Sequence, residues 1–324
     1  MQRLFLRLAR FGAALALVVV TVGAWVRLTD AGLGCPDWPG CYGRLVVVGD
    51  GLAVDPDVEQ QFGRPLEASK AWREMFHRYL ASTLGLVCVA LAVIAWRNRK
   101  DPAQPRGVPL ALVGLVVFQG LLGMWTVTLL LKPIVVVGHL LGGLATLSLL
   151  FWLARGHPAP LPATGRLKAL AAVAAGALIL QIALGGWTSA NYAALACPDF
   201  PTCQTQWWPQ LADFREAFVL WRGIGIDYEG GVLDHPARVA VHFTHRLGAI
   251  GAATLLIALG VALVRRPEGR AAGAAVLGAL AVQLTLGASI VLLGVPLSVA
   301  VAHNGGAAVL LLTVVNALKR IHER

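Results

Sequence analysis

The chain has 324 residues, of which 57% are hydrophobic and only 14% charged, and it carries a formal net charge of +10. Soluble domains hold about 25% charged residues, and several apolar runs here reach the ~20 residues that cross a bilayer. Those facts exclude a soluble globular domain, and with it a basic nucleic-acid binder. Lys and Arg gather in the short segments Arg3–Arg10, Arg97–Arg106, Arg155–Lys168, Arg265–Arg270 and Lys319–Arg324. That is the positive-inside pattern of a membrane protein, and such segments also meet anionic lipid headgroups. A backbone inside lipid must be helical or closed into a barrel, and these runs are too long and too continuously apolar for barrel strands. The expected fold class is an all-α polytopic membrane protein with eight transmembrane helices and both termini on the cytoplasmic side.

In chain order the spans fall near residues 10–28, 76–96, 108–130, 134–154, 168–189, 238–264, 271–294 and 297–318. The first could be mistaken for a signal peptide, but no small-residue cleavage site precedes the first loop, so it reads as a retained span. A long polar loop runs from Leu28 to Trp72 and holds Cys35-Pro36-Asp37-Trp38-Pro39-Gly40-Cys41. The second span opens on Glu74-Met75-Phe76-His77-Arg78 and contains the unpartnered Cys88, read as core packing. Lys132-Pro133 turns tightly into the fourth span, where His139 precedes Gly142-Gly143. Those glycines permit close helix approach or leave room for a flat ligand. Residues 156–167, rich in proline, read as a cytoplasmic linker between an N-terminal half, 1–155, and a C-terminal half, 168–324.

The second half repeats the first. Gly23-Ala24-Trp25 matches Gly185-Gly186-Trp187, and Cys35–Cys41 matches Cys197-Pro198-Asp199-Phe200-Pro201-Thr202-Cys203 at the same offset. His77-Arg78 matches His245-Arg246, His139 matches His303, and Gln119 through Gly123 matches Gln283 through Gly287. Two tandem four-helix bundles are expected, related by a pseudo-two-fold axis along the membrane normal. The repeat also sets depth: His77, His139, His245 and His303 all fall in the outer half of the bilayer.

Polar groups at such positions are costly and mark function. A neutral imidazole in a low-dielectric bundle is a good axial ligand for heme iron, and the simplest pairing is His77 with His139 and His245 with His303. A zinc site would want four ligands converging on one ion, whereas the repeat separates the histidines into two pairs. His242, one helical turn before His245, is the rival ligand, and the Arg78/Arg246 match favours His245. Arg78 and Arg246 suit the propionates of a porphyrin near the outer surface, or plain snorkelling to lipid phosphate. Disulfides Cys35–Cys41 and Cys197–Cys203 are expected in an oxidising compartment, either as staples or, for the first pair, as partners in exchange with a thiol carrier. Glu74 shares a helical face with His77, so both side chains can point at one object. It has no acidic counterpart, because His242 stands at the matching position. That break in the repeat suggests chemistry requiring a carboxylate in one half and a passive cofactor in the other.

Taken together, Gly34 through Cys41, Glu74 through Arg78, Asn191 through Gln204, Leu233 through His242, Thr244-His245-Arg246, His139 and His303 resemble the heme A synthase family, in the eight-span form of proteobacteria related to the mitochondrial enzyme. The resemblance covers essentially the whole chain. It implies oxidation of the C8 methyl of heme O to a formyl group, giving heme A for cytochrome oxidase, by successive hydroxylations with water as oxygen source. It also implies substrate heme between His77 and His139, a heme B between His245 and His303, Glu74 as the catalytic carboxylate, and Cys35 and Cys41 as a redox pair. A bacterial inner-membrane location follows, with the heme O-producing farnesyltransferase as a partner and a quinone or a thiol carrier as electron acceptor. A quinol-linked di-heme cytochrome b explains the four histidines as well but leaves the Glu74 asymmetry idle. A transporter would also use tandem helical repeats, without any need for heme.

Overall fold

A computed structural model of the chain describes residues 2–46 and 56–323, so the middle of the first long loop lies outside the described residues. Among the described residues there are ten α-helices and no strand beyond two isolated bridges. They are α1 (Gln2–Leu28), α2 (Pro56–Phe62), α3 (Ala68–Arg97), α4 (Gly107–Thr128), α5 (Pro133–Ala154), α6 (Gly165–Ala190), α7 (Phe214–Ala217), α8 (His235–Val264), α9 (Arg270–Leu292) and α10 (Leu297–His322). All except α2 and α7 are long and apolar enough to cross a membrane, so the expected eight spans are present.

Helix is the only state these runs can hold in lipid, because it satisfies every internal N–H and C=O without water. The 22-residue helices α4 and α5, at about 1.5 Å per residue, match a hydrocarbon core of roughly 30 Å. By contrast, α3 and α8 have 30 residues each. Their N-terminal turns begin before the apolar runs and continue into the polar loops, at Ala68–Arg73 and His235–Ala237. At the start of α8, the Asp234 carboxylate accepts from Ala237 N at 3.0 Å, a cap worth ~1 kcal/mol. Mid-span residues such as Leu86, Val117, Leu180 and Ile250 are each more than half exposed. On a soluble protein such a surface would aggregate; here it faces lipid.

Two compact units form. The first comprises Met1–Thr146 with Leu220–Val232, and the second Leu147–Val219 with Leu233–Arg324. In the first unit α3 packs against α1 and α4, and the α5 glycine Gly143 lies against Val20 of α1. In the second unit α6, α8, α9 and α10 close a ring of four helices. Small residues bring the α8–α9 backbones together: a Cβ on Gly273 would stand 2.7 Å from Val264 N. The linker is pinned, not loose. Leu161 N donates to Arg320 O at 2.8 Å, Arg320 Nε to Ala159 O at 3.0 Å, and Arg266 to Pro162 O at 2.9 Å. Cys88 is buried and free, as expected of a core residue.

One association is absent from the sequence pattern. Residues 220–232 belong to the second long loop yet fold with the first unit as a strap. Arg64 donates to the carboxylates of Asp227 and Glu229, the latter at 2.8 Å. Tyr228 N donates to Leu130 O at 3.0 Å, and Lys132 bonds the Gly223 carbonyl while its ammonium sits 3.5 Å from the Trp221 ring centroid. Arg64→Ala deletes both charge-assisted bonds and should raise the rate of limited proteolysis within 220–232 about tenfold, read by gel densitometry against the parent protein.

Candidate functional site

The structure seats each of the four span histidines on a glycine of a neighbouring helix. A Cβ on Gly23 of α1 would stand 2.9 Å from His77 Cε1, and one on Gly123 of α4 3.6 Å from His139 Cε1. In the second unit, a Cβ on Gly185 of α6 or on Gly287 of α9 would stand 3.1 Å from Cε1 of His245 or His303. The glycines thus make the room in which a ring lies edge-on to a facing backbone. His77 and His139 meet with ring centroids 6.5 Å apart and planes at 85°. His245 and His303 are also electrostatic neighbours of one another. One buried ring nitrogen in each of His77, His139 and His303 has no hydrogen-bond partner. Among the described residues no three His, Cys, Asp or Glu side chains gather in a group that could hold a metal ion.

Glutamines complete three of these four places. Gln181 lies 3.0 Å from His245 Nδ1 and donates to the His245 carbonyl at 3.0 Å, and Gln283 lies 3.3 Å from His303 Nε2. Gln119 fills the space that a Cβ on Gly142 would need. Pattern reading registered Gln119 and Gln283 as repeat markers only. Their contact with the turn after each histidine is a tertiary fact.

Above the histidines, each disulfide loop is clamped by the start of a long helix. The bonds Cys35–Cys41 and Cys197–Cys203 are both formed. In the first unit, Glu74 is 5% exposed and accepts from Cys35 N at 2.8 Å. Its other oxygen pairs with Arg78 at 2.5 Å. Arg78 continues into the loop, donating to the carbonyls of Asp37 at 3.0 Å, Pro39 at 3.3 Å and Gly40 at 2.5 Å. The Asp37 carboxylate closes the loop on itself, accepting from Tyr42 N at 2.6 Å and Gly43 N at 3.0 Å.

The second loop is built the same way with one exchange. Arg246 donates to the carbonyls of Asp199 at 2.8 Å, Thr202 at 2.6 Å and Cys197 at 2.8 Å. The Asp199 carboxylate accepts from Thr205 N at 3.0 Å and the Thr202 hydroxyl at 2.5 Å. His242 takes the place of Glu74, with Nδ1 3.4 Å from Cys197 N and Nε2 3.2 Å from Arg246 Nε. A neutral imidazole has only one acceptor nitrogen, so only one of these contacts is a hydrogen bond. The shorter one, to Arg246, takes it. A carboxylate at this place satisfies both donors and neutralises the guanidinium; an imidazole does neither.

This geometry bears on three of the sequence readings. His242, the rival ligand, is turned to its loop and leaves the bundle position to His245. Glu74 and His77 share a helical face without sharing an object: the carboxylate is turned to the loop, the imidazole to Gly23 and His139. Arg78 and Arg246 commit their donors to loop carbonyls, so a propionate reaching either must share it with the loop.

Paired histidines under duplicated disulfide loops, in a chain with eight spans, find their match among known sequences. The model of the COX15-CtaA family, described as cytochrome oxidase assembly protein, matches residues 7–315. The chain belongs to this family. It is 44% identical to the heme A synthase of Shewanella oneidensis, over 95% of this chain and 94% of that protein. It is also 30% identical to the heme A synthase of Caulobacter vibrioides, over 92% of this chain and 90% of that protein. The heme A synthase of Methylobacterium radiotolerans is 32% identical, over 90% of this chain and 83% of that one. It is thus a multi-pass member of the heme A synthase family, and an enzyme of that kind.

Removing Arg78 takes three carbonyl contacts from the first loop and leaves the buried Glu74 charge unpaired. Breaking a buried pair in this way costs about 3–5 kcal/mol. Arg78→Ala should therefore make Cys35–Cys41 at least about tenfold more rapidly reduced by a small thiol while Cys197–Cys203 keeps its parent rate; thiol alkylation followed by mass spectrometry checks it.

Proposed function

We propose that this protein converts heme O to heme A, oxidising the C8 methyl of the porphyrin substrate to a formyl group. By balance, the methyl and one water give the formyl group, four protons and four electrons, passed to an acceptor of the quinone or thiol-carrier class. The oxygen comes from water through successive hydroxylations. Substrate is held by His77 and His139, and a resident heme B by His245 and His303.

The observation that carries this reading is the His77–His139 pair. An iron between two imidazoles, with metal–nitrogen bonds of about 2.0 Å, separates the ring centroids by roughly 6.4 Å, against 6.5 Å here. A porphyrin supplies the other four donors itself, so two histidines suffice and no larger cluster is required. Buried ring nitrogens without partners support the same reading, since unsatisfied polar atoms in a bundle are costly. When bound, the resident heme supplies one-electron transfer.

The residues of the chain do the rest. Glu74, ion-paired with Arg78 and bonded to the Cys35 amide, stands above the first site. It stabilises positive charge developing at the substrate methyl or takes up a proton there. His242, lacking a carboxylate, fits a half that holds its cofactor without converting it. Cys35 and Cys41 lie against the Glu74 carboxylate through the Cys35 amide, a position that suits a redox pair passing electrons outward. The disulfide end of the bundle faces the oxidising side of the bacterial inner membrane, which puts the basic linkers and both termini in the cytoplasm. The farnesyltransferase that makes heme O is the proposed partner for handing over an insoluble substrate.

Glu74→His copies the arrangement at His242, so the loop and both disulfides should form. Heme extraction should then show bound heme with formyl product reduced at least about hundredfold, whereas His77→Ala should lose the heme of the first site. Formyl product at the parent level from Glu74→His would remove the carboxylate from the mechanism. A parent protein that binds two hemes yet leaves added heme O unchanged would instead favour a di-heme electron carrier.

A further inference from the structure

Three of the four histidines share an arrangement that the fourth lacks. One turn after His139, His245 and His303 stands a glycine: Gly142, Gly248 and Gly306. On each glycine rests a glutamine amide from the neighbouring helix: Gln119, Gln181 and Gln283 respectively. At His77 both partners are replaced together. Leu80 stands where the glycine would be, and Val19 stands where α6 carries Gln181, at the offset that relates Gly23 to Gly185. The His77 ring lies against the Val19 backbone, as the rings of His139 and His303 lie against the Gln119 and Gln283 backbone, but it has no amide side chain beside it.

The amide chemistry explains why such a seat would be built. Iron on one ring nitrogen leaves the other as an N–H donor. The amide oxygens of Gln181 and Gln283 are buried and unpartnered, close beside rings their own amide nitrogens already touch. A half-turn of either amide presents an acceptor to the ring. Such a partner fixes ring orientation and raises the basicity of the ligating nitrogen. The glycine is what lets the amide come that close.

We propose that Gln181 and Gln283 are positioning residues that hold the imidazoles of His245 and His303 on iron, that Gln119 does the same for His139, and that His77, with Val19 and Leu80 in their place, is the exchangeable ligand through which porphyrin enters and leaves the first site. The division suits the two tasks: a resident cofactor needs two buttressed ligands, and a substrate that must depart needs one that lets go. This inference rests on the reading of the histidine pairs as porphyrin ligands.

The test uses the purified, heme-loaded full chain. In Gln181→Leu and Gln283→Leu, the reduction potential of the resident heme should rise, and carbon monoxide should bind the reduced heme at least about tenfold faster than in the parent protein. Gln181→Glu, which restores an acceptor, should return both readings to the parent values or beyond. The double variant Val19→Gln/Leu80→Gly should slow release of porphyrin from the first site to an apo-globin acceptor by about tenfold or more. Leu variants that keep the parent potential and carbon monoxide kinetics overturn the role of the glutamines, as does a double variant with unchanged release for the role of His77. A parent protein without a low-spin bis-imidazole spectrum overturns the pairing of the histidines itself, and this inference with it.

Discussion

The structure depends on what a bundle in lipid must do with an imidazole. Burying a ring with two polar nitrogens among apolar helices is tolerated only where shape and partners are supplied. Here the shape comes from a glycine on the facing helix: Gly23, Gly185 and Gly287 each leave out a Cβ that would crowd a histidine ring, and Gly123 stands in ordinary contact with the fourth. Repeating this contact at four helix pairs fixes which faces of α1, α3 through α6 and α8 through α10 look inward. Small residues are common at helix contacts in membranes for close packing alone, but Gly23, Gly185 and Gly287 make space for a histidine ring.

The duplicated loops show how one exchange separates two otherwise similar halves. Both loops are closed by a disulfide, folded around an Asp carboxylate, and gripped by an arginine from the start of a long helix. The helix contributes one more group, Glu74 in one case and His242 in the other. Removing a negative charge from a low-dielectric site changes the local field by far more than it changes the packing. The fold therefore tolerates either residue. A second asymmetry lies beneath the loops, in the Val19 and Leu80 that replace a glutamine and a glycine, and it falls in the same half as Glu74.

Much of this was legible in the residues. The eight spans follow from hydropathy and length, and the cysteine pairing follows from spacing within each loop, since each ring is closed by neighbours in sequence. The tandem repeat singled out the four histidines that the structure places beside glycines of neighbouring helices. Helix starts were less legible. Ala68–Arg73 and His235–Ala237 were read as loop, yet they continue as helix because the loops pack on them. The strap at 220–232 was invisible for a related reason: Arg64, Asp227 and Glu229 are ordinary surface charges until the chain brings them together.

By itself the sequence determined the class of the protein, its eight spans, its internal duplication and the residues on which chemistry could rest. These are properties of composition and spacing, which local physics turns directly into helix and membrane. Only the tertiary structure decided what each of those residues faces. Glu74 and His242 turn to the loops, His77 and His139 turn to each other, and the glutamines settle on glycines one turn from the histidines. Such choices depend on which helices are neighbours and how closely their backbones approach, and neither quantity is written in the order of residues along one strand of chain.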